Sequence, residues 1–168
     1  MANLNFIVHD DPVGRKRENY IARVDLEPFG LEGEVEQIWL ARAPGELFEV
    51  CCIPFRSYGI AFRDHVQLDD DGQYVVAVVR RQGHRVLRAL FKYAVDDQRV
   101  PQSIVREIRE CGLLYEWSGG RYVAIDVAPG VDPSRMVEIF DDAESSGVLF
   151  WEWGDADPFV YGNLPVGK

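Results

Sequence analysis

The stretch that decides the fold is Val86-Leu87-Arg88-Ala89-Leu90-Phe91-Lys92-Tyr93, in which two kinds of side chain alternate. On an extended chain Leu87, Ala89, Phe91 and Tyr93 fall on one face, while Arg88 and Lys92 fall on the other. This period of two predicts a β-strand with one face turned towards a core. The elements predicted on either side of this strand then define the fold class.

After this strand the sequence predicts a helix, two strands, a second helix and a last strand. The first helix opens at Pro101, and the second opens at Pro133 with Asp132 as its N-cap. A hairpin turn signal, Ser118-Gly119-Gly120, separates the two middle strands. Residues 86–153 therefore have the order βαββαβ, which is the ferredoxin-like pattern of an antiparallel sheet with two helices on one face.

The first half of the chain is predicted to be rich in β-structure. Turn signals at Ala43-Pro44-Gly45-Glu46 and at Asp69-Asp70-Asp71-Gly72 each separate two apolar runs. Short strands at this spacing predict a small barrel or a curled sheet. We therefore interpret the chain as an α+β protein with three parts: a β-rich part (1–82), a ferredoxin-like part (83–155) and an irregular acidic tail (156–168).

Composition limits the classes of partner. The chain has 168 residues and a hydrophobic fraction of 47%, which predicts a folded globule. Its formal net charge of −10 makes nucleic acid an unlikely partner, because phosphates would meet net repulsion. The same charge fits ordinary solubility or a protein partner with a basic surface. Without an N-terminal signal peptide or an apolar run long enough to span a membrane, we expect a cytoplasmic protein without membrane contact.

The three cysteines do not suggest a disulfide framework or a zinc site. Cys51 and Cys52 are adjacent and lie in an apolar run, and Cys111 stands alone. A nucleophilic role is the alternative for the adjacent pair, but apolar surroundings make a thiol inert. No nucleotide-binding motif is present either. We therefore expect buried, reduced thiols and no metal or cofactor.

A basic segment stands out in this acidic chain and is a candidate anion-binding site. It runs from residue 80 to residue 88, and its candidate residues are Arg80, Arg81, His84, Arg85 and Arg88. Guanidinium groups bind carboxylate or phosphate with two parallel hydrogen bonds, and Gly83 would let a ligand approach the backbone. The alternative is a turn whose arginines form ion pairs with nearby acids.

An enzymatic interpretation of the same segment centres on His84. An imidazole titrates near neutral pH, so His84 is a candidate general base, with Asp64 as a relay partner and Arg88 as an anchor for an anionic substrate. The sequence contains no nucleophile elbow and no zinc-protease or deaminase motif. A catalytic role for His84, Asp64 and Arg88 is therefore the second hypothesis.

The C-terminal part of the chain is strongly acidic and contains aromatic residues. Residues 132–157 hold eight acids and one arginine. We take Asp141, Asp142, Glu144, Trp151 and Trp153 as candidate partner-binding residues. Aromatic anchors supply contact area in protein interfaces, and charges steer association. The alternative is a core helix and strand with solvated outer faces.

The middle of the chain resembles a bacterial family known as domain of unknown function 4265. The similarity rests on Glu36 and Trp39, on Ile53-Pro54-Phe55, on Tyr58-Gly59, on Asp64 with Val66, and on residues 79–88. Within that last segment, Gln82 and Arg85 stand where the family usually or often has serine. The resemblance implies a bacterial, cytosolic protein and implies no activity.

Taken together, these patterns favour a protein that binds another protein without catalysis. Small acidic proteins without catalytic motifs are often inhibitors, and an immunity protein that neutralises a bacterial toxin is the specific expectation. The alternative is a small enzyme or ligand-binding domain that acts on an anionic substrate through His84 and Arg88. A third possibility, RNA binding by the ferredoxin-like sheet, is disfavoured by the net charge.

Overall fold

The computed structural model describes residues 3–155, which form ten strands, two α-helices and one short 3-10 helix. The strands of the first half are β1 (Asn5–Ile7), β2 (Tyr20–Asp25), β3 (Glu34–Ala43), β4 (Leu47–Val50), β5 (His65–Leu68) and β6 (Val75–Arg80). The 3-10 helix is Glu27–Phe29. The second half contains β7 (Arg85–Phe91), α1 (Gln102–Glu110), β8 (Tyr115–Ser118), β9 (Tyr122–Val127), α2 (Ser134–Ser145) and β10 (Leu149–Trp153). The predicted α+β class is confirmed.

The first sheet contains β1 to β6, and β3 is its central strand. Along one edge, β3 pairs with β2 in an antiparallel arrangement. Along its other edge, β3 pairs with β1 in a parallel arrangement and then with β4 in an antiparallel one. Strands β5 and β6 continue from β4. A single isolated bridge between Arg23 and Tyr74 joins the two ends of this sheet. Among the described residues the sheet is thus curled but is not a closed barrel.

The predicted hairpin and tight turn of this half are both confirmed. Strands β3 and β4 pair through Ala43 and Leu47, on either side of the proline-containing turn. In the acidic turn, the Asp69 carboxylate accepts hydrogen bonds from the backbone N–H groups of Gln73 and Tyr74. Gly72 has a φ of 68°, a left-handed conformation that favours glycine.

The second sheet has the strand order β10-β7-β9-β8, and all of its neighbouring strands are antiparallel. Both helices lie on one face, where Val105 of α1 and Phe140 of α2 share a core with Leu87 and Phe91. This is the face that the alternation along β7 predicts. The other face carries Val86, Tyr122 and Ala124.

The predicted start of the second helix is wrong by one residue. Pro133 occupies the N-cap position, and the helix begins at Ser134. The Asp132 carboxylate still accepts hydrogen bonds from the backbone N–H and the hydroxyl of Ser134, at 3.0 and 2.5 Å. A turn formed by the aspartate side chain therefore precedes the helix instead of a direct cap.

The two halves meet through the loop between β4 and β5, residues 51–64. Ile53, Phe55 and Phe62 of this β4–β5 loop pack against Val86 and Tyr122, on the face of the second sheet that lacks helices. The loop therefore covers that face, and the contact between the halves is a hydrophobic cluster distinct from the one beneath the helices. No helix in the described part of the chain is long and apolar enough to cross a membrane.

Candidate functional site

A buried carboxylate, Glu36 on β3, organises the β4–β5 loop. One of its oxygen atoms accepts hydrogen bonds from the N–H of Phe55 and from His9 Nε2, at 2.5 and 3.2 Å. Its other oxygen atom accepts from the N–H groups of Arg56 and Ser57 and from the Ser57 hydroxyl, at 2.6 to 3.0 Å. Five donors therefore surround a side chain that is fully buried.

A second buried carboxylate, Glu116 on β8, approaches the same histidine from the other sheet. Its Oε2 atom lies 2.5 Å from His9 Nδ1. Its Oε1 atom accepts hydrogen bonds from the N–H groups of Val13 and Ile53, at 3.0 and 2.9 Å. His9 also stacks on the ring of Phe55 with a centroid distance of 4.3 Å. The imidazole thus joins one carboxylate from each sheet.

The protonation states of this cluster follow from its hydrogen bonds. Burial opposes ionisation of Glu36, but hydrogen bonds from His9, Ser57 and Phe55 lower its pKa to about 2. Burial likewise opposes a charged His9, but hydrogen bonds to the carboxylates of Glu116 and Glu36 raise its pKa well above 6.5. The cluster therefore holds an imidazolium between carboxylates. Because these groups satisfy one another away from solvent, the arrangement stabilises the fold and joins its halves.

A second histidine–carboxylate pair lies near the surface, between the turn before β7 and strand β9. His84 Nδ1 is 2.8 and 2.9 Å from the two carboxylate oxygen atoms of Asp126. The His84 side chain is 11% exposed and meets Phe62 edge-on at 5.5 Å. An imidazole that is held by a carboxylate and reaches solvent has the arrangement of a general base.

Asp64 lies close to this pair, although its carboxylate has other hydrogen-bond partners. It accepts from the backbone N–H groups of Ala61 and Gln82, at 3.0 and 2.9 Å. Burial raises the pKa of Asp64, and the nearby charges of Arg81 and His84 oppose that rise. Burial also raises the pKa of Asp126, against the hydrogen bond from His84. Asp64 therefore fixes the turn that carries His84.

The arginines of the candidate anion-binding segment do not converge. Arg80 and Arg81 are exposed at the end of β6 and just after it. Arg85 forms an ion pair with Asp155 and lies 3.7 Å above the ring of Trp153. Gly83, in the turn between them, has a φ of 84°. The structure thus brings His84 near Asp64 and Asp126. Arg80, Arg81 and Arg85 do not gather around a common site.

Arg88 has a different environment, because its side chain is 1% exposed. Its Nη1 atom donates to the carbonyl oxygens of Phe55 and Ser57, at 2.9 and 3.0 Å. Its Nε atom donates to Glu152 at 2.9 Å, and its guanidinium lies 4.2 Å from the ring centroid of Tyr58. His84 precedes β7, and Val86 separates it from Arg88 along the same side of the chain. Four residues of a strand span about 13 Å, so the two side chains belong to separate sites.

The acidic candidates form one surface of α2 and β10. Asp141, Asp142 and Glu144 are exposed on α2. Trp151 is half-buried, and its Nε1 atom donates to Asp141 at 3.1 Å. Trp153 is also half-buried, beneath Arg85 as described above. Phe150, on the opposite face of β10, is the most exposed large hydrophobic residue of this strand, at 56%.

The cysteines lie as the sequence predicts. Cys51 and Cys52 are buried free thiols, and Cys111 is half-buried. Burial raises the pKa of Cys51 to about 11 and also raises the pKa of Cys52. Within residues 3–155 no group of three or more His, Cys, Asp or Glu side chains is placed to hold a metal ion.

Sequence reasoning missed the cluster of His9, Glu36 and Glu116 as a unit. A signal was present, since Glu36 falls on the same face of β3 as Ile38 and Leu40. Glu116 likewise lies inside a short aromatic strand, between Tyr115 and Trp117. A charge at a core position predicts a partner. The identity of that partner depends on which distant loop covers the strand.

With two sheets, two helices on one face and a buried polar cluster between the halves, the chain is an α+β protein. It belongs to the family described as "Domain of unknown function (DUF4265)", whose model matches residues 36–151. The matched region includes Glu36, Glu116 and the β4–β5 loop, and it begins after His9. The family expected from the sequence is therefore confirmed.

A solved structure shares this fold. It is titled "Novel crystal structure of a hypothetical protein from Neisseria gonorrhoeae" and has a TM-score of 0.61 with the chain at 16% sequence identity. The similarity covers 82% of this chain and 95% of that chain. None of the curated proteins compared with the chain matches it significantly.

Proposed function

We propose that the chain is a cytoplasmic bacterial protein that binds a basic protein partner without catalysis, in the manner of an inhibitor or immunity protein that neutralises a toxin. The observation that carries this proposal is the edge strand β10, which carries Phe150, 56% exposed, and the half-buried Trp151, whose Nε1 atom donates to the exposed Asp141 of α2. Exposed aromatic area and surrounding charge are the features that anchor and steer a protein interface.

Other features support the setting of this proposal. The family resemblance and the fold shared with a protein from Neisseria gonorrhoeae support a bacterial origin. Three free thiols, two of them fully buried, fit a reducing compartment such as the cytoplasm. The face of the second sheet that RNA-binding sheets of this kind use is covered by the β4–β5 loop, which favours a protein partner over RNA.

The test is affinity capture from the native host with matched variants. Phe150→Ala should weaken capture of the partner by about tenfold or more, because an aromatic anchor carries much of the binding energy. Leu114→Ala is the control, since Leu114 is a comparably exposed hydrophobic residue at 49% but precedes the opposite edge strand, β8. A partner that is lost equally with both variants, or with neither, would refute the assigned surface.

Charge reversal tests the steering role of the acids. Asp141→Lys with Asp142→Lys should slow association with the captured partner by about tenfold at low salt and flatten its salt dependence. The control is Asp70→Lys with Asp71→Lys, which changes the same charge at an exposed turn of the first sheet. Unchanged association rates in the α2 variant would contradict a basic partner surface.

A second candidate function is an enzyme or ligand-binding domain acting on an anionic substrate. The observation that favours it is the His84–Asp126 pair, in which a carboxylate orients an imidazole that reaches solvent. His84→Ala should then abolish turnover, while Asp141→Lys should leave it unchanged. Since His84 and Arg88 have separate surroundings, Arg88 would act on the substrate only indirectly.

We also propose that residues 86–153 form a ferredoxin-like unit. The support is the strand order β10-β7-β9-β8, which places the four strands of the βαββαβ segment in the order four, one, three, two. Antiparallel pairing throughout and two helices on one face agree with that pattern.

A further inference from the structure

A cleft lies between the two halves, on the side of the second sheet that lacks helices. Its volume is about 260 Å³. The lining residues that matter here are Arg56, Tyr58, Arg88, Tyr122, Phe150 and Glu152. This volume is slightly below the usual range for drug-sized ligands, so the cleft fits a molecule of the size of an amino acid or an aryl acid.

The guanidinium of Arg88 presents an incompletely used pair of donors in this cleft. The Nε and Nη2 atoms lie on one edge of a guanidinium and donate in parallel to the two oxygen atoms of a carboxylate. In Arg88, Nε donates to Glu152, but Nη2 is buried and has no hydrogen-bond partner among residues 3–155. An unsatisfied buried donor of a charged group is costly, so this vacant position requires an explanation.

Two other arginines show how the same edge is used when it is filled. Arg85 donates from both Nε and Nη2 to Asp155, and Arg99 donates from both to Asp97. Glu152 reaches only the Nε atom of Arg88, since its carboxylate also accepts from the Tyr58 hydroxyl at 2.7 Å. The resident carboxylate therefore leaves one of the two parallel donors available.

A second cation faces the cleft without a carboxylate partner. The guanidinium of Arg56 lies 4.5 Å from the ring centroid of Tyr122. In the part of the chain that the structure describes, Arg56 forms no ion pair. Arg56 and Arg88 against Glu152 leave one excess positive charge in a cleft of an otherwise acidic protein. Phe150 and the two tyrosine rings supply apolar surface beside it.

We propose that this cleft binds a small carboxylate carried on an apolar or aromatic group. The ligand carboxylate takes both Nε and Nη2 of Arg88, with Arg56 as the second cation, and its apolar group lies against Tyr122 and Phe150. Glu152 is 47% exposed, so it turns towards solvent when the ligand displaces it. This site is separate from His84 and does not depend on a protein partner.

The test is a titration of the full chain with benzoate, followed by amide chemical shifts in NMR spectra. Benzamide, the neutral isostere, is the ligand control, and phenyl phosphate tests the other common oxyanion. We expect saturable binding of benzoate with shifts at residues that line the cleft, and at least tenfold weaker binding of the other two probes. Equal binding of benzamide, or preferential binding of phenyl phosphate, would overturn the carboxylate assignment.

Two variants with opposite expected effects identify the site. Arg56→Gln should weaken benzoate binding by about tenfold, because it removes a charged donor that holds no structural ion pair. Glu152→Gln should strengthen binding by about threefold, because the competing carboxylate loses its charge. Arg106→Gln on α1 and Asp155→Asn beside Arg85 are the matched controls, and neither should change the affinity.

The opposite effects of Arg56→Gln and Glu152→Gln on benzoate affinity distinguish a ligand-binding role of these residues from a structural one. If benzoate does not bind saturably, or if Arg56→Gln changes its affinity no more than Arg106→Gln does, the proposal is wrong. If Glu152→Gln and Asp155→Asn strengthen binding equally, the effect is general electrostatics and the site is refuted. Thermal melts of each variant confirm that the fold is retained during these measurements.

Discussion

The two histidine–carboxylate groups of the molecule are chemically alike but have opposite electrostatics. At the junction of the two halves, burial and five donors act on Glu36, and its pKa falls to about 2. At the surface, burial raises the pKa of Asp126 even though His84 donates to it. Burial disfavours the charge of both carboxylates. The number of hydrogen-bond donors decides which carboxylate is stabilised as an anion.

This difference separates a structural cluster from a candidate chemical one. His9 is buried and both of its nitrogen atoms have carboxylate partners, so it has no atom left for a substrate. His84 uses Nδ1 for Asp126 and is partly exposed. A buried histidine whose two nitrogen atoms both have hydrogen-bond partners is thus a poor guide to activity. A histidine with one nitrogen atom left without a protein partner marks a candidate site.

The largest effect is expected at Glu36. Replacing Glu36 with Gln removes the charge that five donors surround and leaves His9 with only one carboxylate. We expect a loss of about 3–5 kcal/mol in the free energy of unfolding, measured by urea denaturation. Glu34→Gln on the same strand is the matched control and should cost less than about 0.5 kcal/mol. A comparable loss for the two variants would contradict the structural role of the cluster.

The pH dependence of stability sharpens the same comparison. The folded-state pKa of Glu36, about 2, lies below its ordinary value of 4.5. Its contribution is therefore present above pH 4.5 and is lost as the pH falls towards 2, by about 3 kcal/mol in total. Urea unfolding of the wild type across this range should show the loss, and Glu36→Gln should flatten it. An unchanged acid dependence in the variant would show that other groups cause it.

His9 should produce the opposite pH dependence. Its pKa is raised in the folded state, so its contribution is fully present below about pH 6.5, the value for an unfolded histidine. The contribution is then lost as the pH rises through the folded-state pKa. His9→Gln should remove this alkaline decline in unfolding free energy. If the decline persists in the variant, the imidazolium between the two carboxylates is not its source.

The strands and helices follow from local pattern, and this explains why most of them could be predicted. The alternation along β7 predicts that Leu87 and Phe91 face the core. Pro101 and Pro133 mark the helix starts to within a residue. The barrel alternative failed because closure requires a full ladder between β2 and β6, where only the Arg23–Tyr74 bridge forms. Strand pairing over such a distance is not encoded in local periodicity.

The sites depended on contacts that no local pattern contains. The position of Arg88 opposite the apolar face of β7 was predictable, but its burial was not. It is buried because the β4–β5 loop, about thirty residues earlier in the chain, covers that face and offers the carbonyl oxygens of Phe55 and Ser57. For the same reason, His84 and Arg88 appeared to be neighbours in sequence but have separate surroundings. Grouping charged residues by sequence proximity thus overestimated how far they converge.

The smallest effect on stability is expected at the surface pair. His84→Ala should cost about 1–2 kcal/mol, because Asp126 loses its hydrogen-bond partner while remaining largely buried. Asp126→Asn should cost less than that, since it also removes a charge that burial disfavours, as the raised pKa of Asp126 indicates. Urea unfolding of both variants and of the double variant gives the coupling energy, expected to be about 1 kcal/mol. The comparison with Glu36 rests on this ranking, because His84 is partly exposed and water can take its place beside Asp126 when the imidazole is removed. If His84→Ala destabilised the protein as much as Glu36→Gln, the surface pair would be a second structural cluster, and the case for a chemical role of His84 would be lost.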